Sequence, residues 1–210
     1  MSDAEASVDQ RARLATAIRA LGHTSLRRDL DDDELARLAD RVEAMAADVA
    51  AHPVRERDLV WVKQQFFPTD LADGQSVRHF EDCFVSGPHN PLGIGMQVVV
   101  DGEEVCAEVT LRAGHEGAPE RAHGGIVAAV FDDVLGYLMS THAIPAFTGE
   151  LTVQYLRPTP IGRGLDFRSR ILERRGRKVL TEATAHDGDD LVARATGLFI
   201  EVAPERFRAS

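Results

Sequence analysis

Residues 123–139 have the sequence HGGIVAAVFDDVLGYLM, and this stretch decides how the rest of the chain is interpreted. It predicts a helix that is apolar on nearly every side, and such a helix is normally buried. At about 100° per residue, five large apolar residues fall on one face, which should pack on the core. They are Val127, Val130, Phe131, Val134 and Leu138.

The opposite face of this helix combines small residues with one acid, Asp132. Its small residues are Gly125, Ala129 and Gly136, and they permit close approach of another backbone or a ligand. Because ionised carboxylates are rarely buried without a partner or a function, we interpret Asp132 as a candidate catalytic group in partly buried surroundings. Asp133 points about 100° away and should reach a polar edge. The alternative is a pair of acids satisfied by caps or arginines.

The start of the helix is the second functional signal. Unpaired N–H groups at a helix N-terminus favour negative charge, and Gly124 and Gly125 leave room for an approaching oxygen. Such groups can hold a developing oxyanion. By itself His123-Gly124-Gly125 also fits a plain turn into a helix, but a carboxylate nine residues after His123 strengthens the functional interpretation.

Composition excludes several classes of protein. The 210 residues predict one domain with an extension, and 44% hydrophobic and 28% charged residues are ordinary for a globular chain. A net charge of −10 argues against nucleic acid as the partner. We see no apolar run of transmembrane length and no signal peptide. Cys83 and Cys106 form neither a disulfide framework nor, with the histidines, a metal set. We therefore expect a cytoplasmic protein without a membrane span.

Residues 1–65 are predicted to be a helical N-terminal extension of a main domain at 66–210. Helical spacing is clear for two groups of apolar residues, and acids at 31–33 should cap the second helix. The groups are Leu14, Ile18 and Leu21, then Leu35, Leu38, Val42, Met45 and Val49. A narrow apolar stripe must dock on something, so we favour a structural arm, with a regulatory arm as the alternative. Trp61, Phe66 and Phe67 could fill an apolar groove.

The pattern changes to strands from about residue 79. Asp101-Gly102 between two apolar runs, 92–100 and 103–111, predicts a hairpin. Four further strands follow the helix, at 147–157, 165–174, 177–186 and 191–202. The simplest packing is an α+β layer in which an antiparallel sheet wraps around the one buried helix.

This order of elements resembles the hotdog fold. In detail the chain is similar to the PaaI-type acyl-CoA thioesterases of the 4-hydroxybenzoyl-CoA thioesterase superfamily, over about residues 79–202. Four anchors in the right order are specific for the family, although not for its substrate. They are residues 83–93 (CFVSGPHNPLG), His123-Gly124-Gly125 with Asp132, residues 150–158 (ELTVQYLRP) and residues 193–199 (ARATGLF).

The resemblance implies roles for the residues of these motifs. It makes Asp132 the catalytic carboxylate and the backbone N–H of Gly124 the oxyanion donor, with His123 and Gly125 beside it in the catalytic motif. Thr148 corresponds to the family's Ser or Thr that often helps to position the attacking water. A carboxylate can deprotonate a water or attack the carbonyl itself, and the sequence leaves both roles open.

The resemblance also implies an acyl-CoA substrate, with coenzyme A as part of the substrate and no separate cofactor. Several family members carry Asn or Gln six or seven residues before the His, where this chain has Gly117 and Glu116. Either Glu116 takes the role of that Asn or Gln, or this chain lacks a polar side chain there. The candidate substrate-binding residues are Glu116, Gly117, Asn90, Arg157, Pro158, Arg177 and Lys178.

Positive charge is concentrated at residues 157–178. Eight of the thirteen Lys and Arg residues after position 82 lie there, in a chain that is acidic overall. We predict that this segment helps to hold the phosphates of CoA. The alternative is a solvated strand face.

The spacing of Gly124 and Asp132 predicts a shared active site. Eight residues of helix separate them by about 12 Å along the axis. An oxyanion donor and a base must each come within about 3 Å of the same reacting group. One helix cannot do both, whereas two antiparallel copies about a twofold axis can. We therefore predict a homodimer with shared active sites, and leave open its pairing into a homotetramer.

Three functions fit these observations. The first is hydrolysis of an acyl-CoA thioester. The second is a protein that binds acyl-CoA or an acyl-carrier thioester without hydrolysing it, which the departure at Glu116 and Gly117 favours. The third is a hotdog hydratase, which ranks lowest because the expected Asp–His pair is not evident.

Overall fold

Three helices appear in a computed structural model of the chain, which describes residues 9–58, 66–67 and 71–203. They are α1 (Gln10–Ser25), α2 (Asp32–Ala50) and α3 (Gly124–Thr141). The decisive stretch of sequence therefore forms α3, as predicted. Trp61 lies outside the described residues.

The main domain contains a six-stranded antiparallel sheet with the order β1-β2-β6-β7-β8-β5. Two short strands, β3 and β4, pair with each other just before α3. The strands are β1 (Gln97–Asp101), β2 (Glu104–Thr110), β3 (Glu116–Ala118), β4 (Arg121–Ala122), β5 (Ala146–Tyr155), β6 (Gly164–Arg175), β7 (Lys178–Asp187) and β8 (Asp190–Glu201). The predicted α+β hotdog arrangement, a sheet around one helix, is confirmed.

The predicted hairpin forms at Asp101-Gly102, where Gly102 has a φ of +60°. Its first strand is shorter than predicted, because β1 begins at Gln97 rather than at residue 92. Gly95, with a φ of +84°, lies in this interval and does not adopt an extended conformation.

The apolar face of α3 packs on the sheet as its spacing requires. All five predicted core residues of this face are fully buried, and each contributes about 1.5–3 kcal/mol on burial. Phe131 meets Phe167 of β6 edge to face, with ring centroids 5.1 Å apart. Gly197 of β8 lets the helix approach, since a Cβ there would lie 2.9 Å from Leu135 Cδ1. Gly197→Val should therefore push α3 off the sheet.

The same burial accounts for the hydropathy of α3. Among the described helices, α3 alone is long and apolar enough to cross a membrane by length and composition. Nine of its residues are buried. The sheet, rather than lipid, covers its apolar face in this structure.

The N-terminal extension contacts the main domain through α1 and through the turn that follows it. Arg19 donates to the carbonyl of Asn90, and Arg27 forms an ion pair of 3.1 Å with Glu116. Asp31 caps α2 in a capping box with Glu34, as the acids at 31–33 predicted. No residue of α2 is buried, so its apolar stripe is exposed in the single chain. The boundary at residue 65 remains a prediction.

Strand β5 forms one edge of the six-stranded sheet. It pairs with β8 on one side and with no other described strand on its outer side. Phe147 and Tyr155 of this strand are 44% and 52% exposed. Edges of this kind are usually covered or paired with another chain.

Candidate active site

Asp132 lies on the side of α3 that faces β5. Thr148 Oγ1 of that strand donates a hydrogen bond of 2.9 Å to Asp132 Oδ1. The ladder of β5 with β8 is irregular between Thr148 and Glu150, with Gly149 as the inserted residue. Bulges often re-aim a side chain, and this one directs Thr148 towards the helix. In the single chain Asp132 is exposed rather than partly buried, which differs from the sequence expectation.

The start of α3 leaves one backbone N–H group unused. His123 is the N-cap, and its Nδ1 accepts a 2.9 Å hydrogen bond from the N–H of Gly125. The N–H groups of Ile126 and Val127 both point to the carbonyl oxygen of His123. Within the described residues, the N–H of Gly124 is therefore the first-turn donor left without a partner. The cap thus occupies Gly125 and makes Gly124 the available anion donor.

Gly124 lies in a cleft that contains two other predicted site residues. Tyr155 Oη donates a 2.7 Å hydrogen bond to the carbonyl of Gly124, and a Cβ at Gly124 would lie 3.3 Å from the Tyr155 ring. The cleft has a volume of ≈ 410 Å³, and Arg157 and Pro158 belong to its wall together with Arg121. The structure therefore brings Gly124, Arg157 and Pro158 together in one cleft.

Asp132 and Gly124 stay apart in one chain. Both contact β5, Asp132 through Thr148 near its start and Gly124 through Tyr155 at its end. Eight residues of straight helix separate them, about 12 Å. In each chain the two candidate groups therefore lie at opposite ends of β5.

An apolar cavity adjoins Asp132. Its volume is ≈ 340 Å³, which is within the range of small-molecule sites. Its wall is largely aromatic and aliphatic, from Phe66, Phe67, Met139, Ile144, Ala146, Phe147 and Phe199. Phe66 and Phe67 thus line an apolar groove as predicted, and Ser140 Oγ donates to the carbonyl of Phe66. Asp132, Asp133 and Thr148 form its polar border.

Asp133 is the buried carboxylate of the pair, and the expectation of a polar edge is wrong. Cys83 Sγ donates to its Oδ1 at 3.4 Å, while Oδ2 is shielded from solvent and has no partner in the described part of the chain. Burial raises the pKa of Asp133, although nearby Ser86 and Cys83 favour its charged form. The covering loop lies some fifty residues earlier in the chain, so helix geometry could not reveal it.

An aromatic stack closes the cavity beside Asp133. His79 stacks on Tyr137 with ring centroids 3.6 Å apart, and Phe66 stacks on His79 at 5.3 Å. Burial lowers the pKa of His79 to about 3 and raises the pKa of Tyr137 to about 12. Both side chains are therefore neutral near pH 7. His79 Nε2 is buried without a partner among the described residues.

Glu116 and Gly117 do not provide the polar side chain that several family members have before the His. Glu116 is exposed and paired with Arg27. A Cβ at Gly117 would lie 2.7 Å from His123 Cα, so the backbone here admits only glycine without a shift. Gly117 therefore packs against the cap of α3.

Asn90 is a structural residue in this chain. Its Nδ2 donates to the carbonyl of Asp82, and its Oδ1 accepts from the N–H of Leu92. Both ends of the side chain thus hold the loop that covers Asp133. The prediction that Asn90 binds substrate has no support in the geometry.

The cations at 157–178 do not form one cluster. Arg157 lies at the Gly124 end of the sheet, whereas Arg177 and Lys178 lie beside Glu201 at the other end. Most of the group is already engaged with acids or carbonyls on neighbouring strands. The ion pairs are Arg157–Asp190, Arg163–Asp187, Arg168–Asp101, Arg170–Glu182, Arg174–Glu201 and Arg175–Glu173. The positive charges of this segment are therefore divided between the two ends of the sheet.

Sequence reasoning missed two residues of this region. Tyr155 lies in the motif at residues 150–158, and no role was predicted for it. Its exposed position at the end of β5 was the available signal. No role was predicted for His79, because its stacking depends on contacts between distant segments that no local pattern shows. In the described ranges, no group of three or more His, Cys, Asp and Glu side chains is placed to hold a metal ion.

The fold and the sequence both lead to one class of protein. Residues 120–194 match the family model described as Thioesterase superfamily. The structure described as protein RHA08564, thioesterase superfamily protein, has a TM-score of 0.77 and 24% identity, over 91% of this chain and 90% of that one. The E. coli PaaI protein from the phenylacetic acid degradation operon has a TM-score of 0.50 and 17% identity, over 52% and 81%. The chain has the hotdog fold, and its predicted resemblance to the thioesterase superfamily is confirmed by the match over residues 120–194.

Curated relatives narrow the comparison to acyl-coenzyme A thioesterases. Acyl-coenzyme A thioesterase THEM4 of Xenopus laevis is 35% identical over 91 residues, covering 42% of this chain and 41% of that protein. THEM4 of Bos taurus is 28% identical over 148 residues, covering 69% and 61%. The chain thus spans less than two thirds of the curated relatives it matches.

Proposed function

We propose that this protein hydrolyses an acyl-CoA thioester to the free acid and CoA. The observation that carries the proposal is the Asp132 carboxylate, held by Thr148 at the border of an apolar cavity of ≈ 340 Å³. A cavity of that size and lining suits an acyl group, and its one solvent-exposed carboxylate lies where the thioester carbonyl would stop. The names of the THEM4 relatives support the same reaction.

In the proposed reaction Asp132 acts as general base or as nucleophile. As a base it takes a proton from water while the water oxygen attacks the carbonyl carbon. The N–H of Gly124 donates to the resulting oxyanion. The intermediate then collapses, the carbon–sulfur bond breaks, and the proton returns to the CoA thiolate. As a nucleophile, Asp132 attacks the carbonyl carbon, the carbon–sulfur bond breaks to release CoA thiolate, and water hydrolyses the resulting anhydride to the free acid and Asp132, with a proton passing to the thiolate.

The proposed active site combines half-sites from two chains. Strand β5 has an outer edge that no described strand covers, and antiparallel pairing of two such edges centred between Leu151 and Thr152 would place Thr148 opposite the partner's Tyr155. Since Thr148 holds Asp132 and Tyr155 contacts Gly124, that register brings Asp132 towards the N–H of the partner's Gly124. A twofold axis then creates two identical sites per dimer.

Binding without hydrolysis is the second candidate. Glu116 is held by Arg27, and Gly117 is packed against His123, so neither offers the polar side chain found before the His in several relatives of this type. A site without that help could hold a thioester and turn it over slowly or not at all.

Release of free thiol from a series of acyl-CoA esters, followed with a thiol reagent, tests the proposal. We expect thiol release by the wild-type protein and its loss in Asp132→Asn. Tight binding of acyl-CoA without thiol release by wild type would favour the second candidate. Addition of water to an enoyl-CoA would instead favour a hydratase.

A further inference from the structure

A cationic cavity lies where α1 meets the loop before α3. It has a volume of ≈ 350 Å³, and its wall includes three arginines, Arg27, Arg28 and Arg112, together with His23. Glu120 is the one acid in that wall, and Arg27 is also paired with Glu116. The cavity is therefore positively charged, in a protein whose net charge is −10.

Two of the three arginines of this cavity are not paired with an acid in the described part of the chain. Arg28 and Arg112 have no ion pair with any described acid, unlike the arginines of β6. The positive field reaches the neighbouring groups. Burial, followed by the charges of Arg112 and Arg19, lowers the pKa of His23, and Arg112 contributes in the same direction at Arg19 and His115. Like charges held together in this way repel each other, so a bound anion would stabilise them.

The cavity is the neighbour of the Gly124 cleft. The cleft includes Arg121 and Thr159, and the cavity includes Glu120 and Ile161. The two depressions thus lie on either side of the bridge that pairs Arg121 with Pro160. A ligand whose reacting group lies at Gly124 can extend across this bridge into the cationic cavity. The N–H of Gly124 and the arginines belong to the same chain. This path for the ligand therefore does not depend on which chain supplies Asp132.

We infer that Arg28 and Arg112, with Arg27, bind the phosphate groups of the CoA nucleotide, and that the N-terminal extension is part of the substrate site. The inference rests on the proposed function, because it concerns the non-reacting half of the same CoA ester. Guanidinium groups suit phosphate oxygens because both can form paired, charge-assisted hydrogen bonds. This assignment replaces the segment 157–178 as the main phosphate site and gives α1 a role in binding.

Direct binding of free CoA, measured by titration calorimetry, tests the inference without requiring turnover. The variants are Arg28→Gln, Arg112→Gln and their combination, and Arg175→Gln is the matched control at the far end of the sheet, where Arg175 pairs with Glu173. We expect about a tenfold rise in Kd for each single variant and a larger rise for the double variant. Loss of one hydrogen bond to a charged group weakens binding by about that amount. Arg175→Gln should bind CoA like wild type.

The phosphate-free probe is pantetheine, which should bind the wild-type protein far more weakly than CoA and should not distinguish the variants. Affinity of wild type for CoA should also fall as salt is raised. Equal binding of CoA and pantetheine by wild type would overturn the inference, and so would equal weakening by Arg112→Gln and Arg175→Gln. Failure of the proposed hydrolysis would appear separately, as CoA binding that depends on Arg28 and Arg112 without thiol release from any ester.

Discussion

Thr148 Oγ1 donates a 2.9 Å hydrogen bond to Asp132 Oδ1, and this bond joins the edge strand of the sheet to the middle of the central helix. The bulge at Gly149 directs Thr148 towards Asp132, and a Cβ at Gly149 would lie 3.1 Å from Ile200 Cγ1. The strand therefore fixes one oxygen of the carboxylate, and the described residues provide no hydrogen bond to the other.

Removal of this hydrogen bond should slow the proposed reaction without abolishing it. Thr148→Val keeps the shape of the side chain and loses the hydroxyl, so we expect kcat to fall about tenfold, the scale of one hydrogen bond to a charged group. Thr148→Ser retains a hydroxyl and should keep most of the activity. Steady-state kinetics of both variants check this, and equal losses for Val and Ser would point to packing rather than to the hydrogen bond.

The two adjacent acids should respond differently to neutralisation. Asp132→Asn removes the proposed base, and we expect kcat to fall at least about 100-fold, the usual scale for general-base catalysis. Asp133→Asn changes a carboxylate that is covered by the loop carrying Cys83, and its effect on kcat should stay within about tenfold. Single-turnover thiol release separates the two. An inactive Asp133→Asn beside a fully active Asp132→Asn would reverse the assignment.

Acid should destabilise the fold because His79 is buried in its neutral form. Burial lowers the pKa of His79 to about 3, so the unfolded chain takes up a proton near pH 6.5 and the folded chain does not. The contribution of neutral His79 to the free energy of unfolding is therefore fully present above about pH 6.5 and is lost as the pH falls towards 3. Asp133 has the opposite sign, because its pKa is raised and its contribution is lost as the pH rises.

His79→Phe isolates the histidine, because it keeps the ring that stacks on Tyr137 and leaves Asp133 in place. Between pH 7 and pH 5 we expect wild type to lose about 2 kcal/mol more of its unfolding free energy than this variant. Denaturant unfolding at the two pH values measures the difference. Parallel losses in both proteins would show that His79 is accessible to protons in the folded state.

The fold was predictable because its signals are local and periodic. The 3.6-residue pattern of α3 identified its buried face, and Asp101-Gly102 identified the hairpin; both agree with the structure. The covering of Asp133 by the loop at Cys83 was not predictable, because fifty residues separate the two groups. Counting charges at 157–178 could not show which of them are paired with acids, since the count gives no information on which acids lie across the strands.

The available N–H of Gly124 could be predicted only in part from the sequence. The sequence indicated a helix start with small residues, but it could not show that His123 occupies Gly125 and leaves Gly124. The structure also supplies a suitable variant. His123 already has an extended conformation, with φ −64° and ψ 130°, as the residue before a proline requires. Proline is tolerated at the first helical position, so Gly124→Pro removes the N–H of interest, and the Tyr155 ring must shift slightly to accept the added ring.

The central claim is that Asp132 of one chain and Gly124 of another form one active site. Complementation tests it most directly: an Asp132→Asn chain is mixed with a Gly124→Pro chain, and thiol release is measured on the isolated heterodimer. Both homodimers should be nearly inactive, while the heterodimer should have one intact site and about half of the wild-type rate, as twofold symmetry requires. No recovery in a verified heterodimer of folded chains, or full activity of a wild-type monomer in dilute solution, would contradict the account.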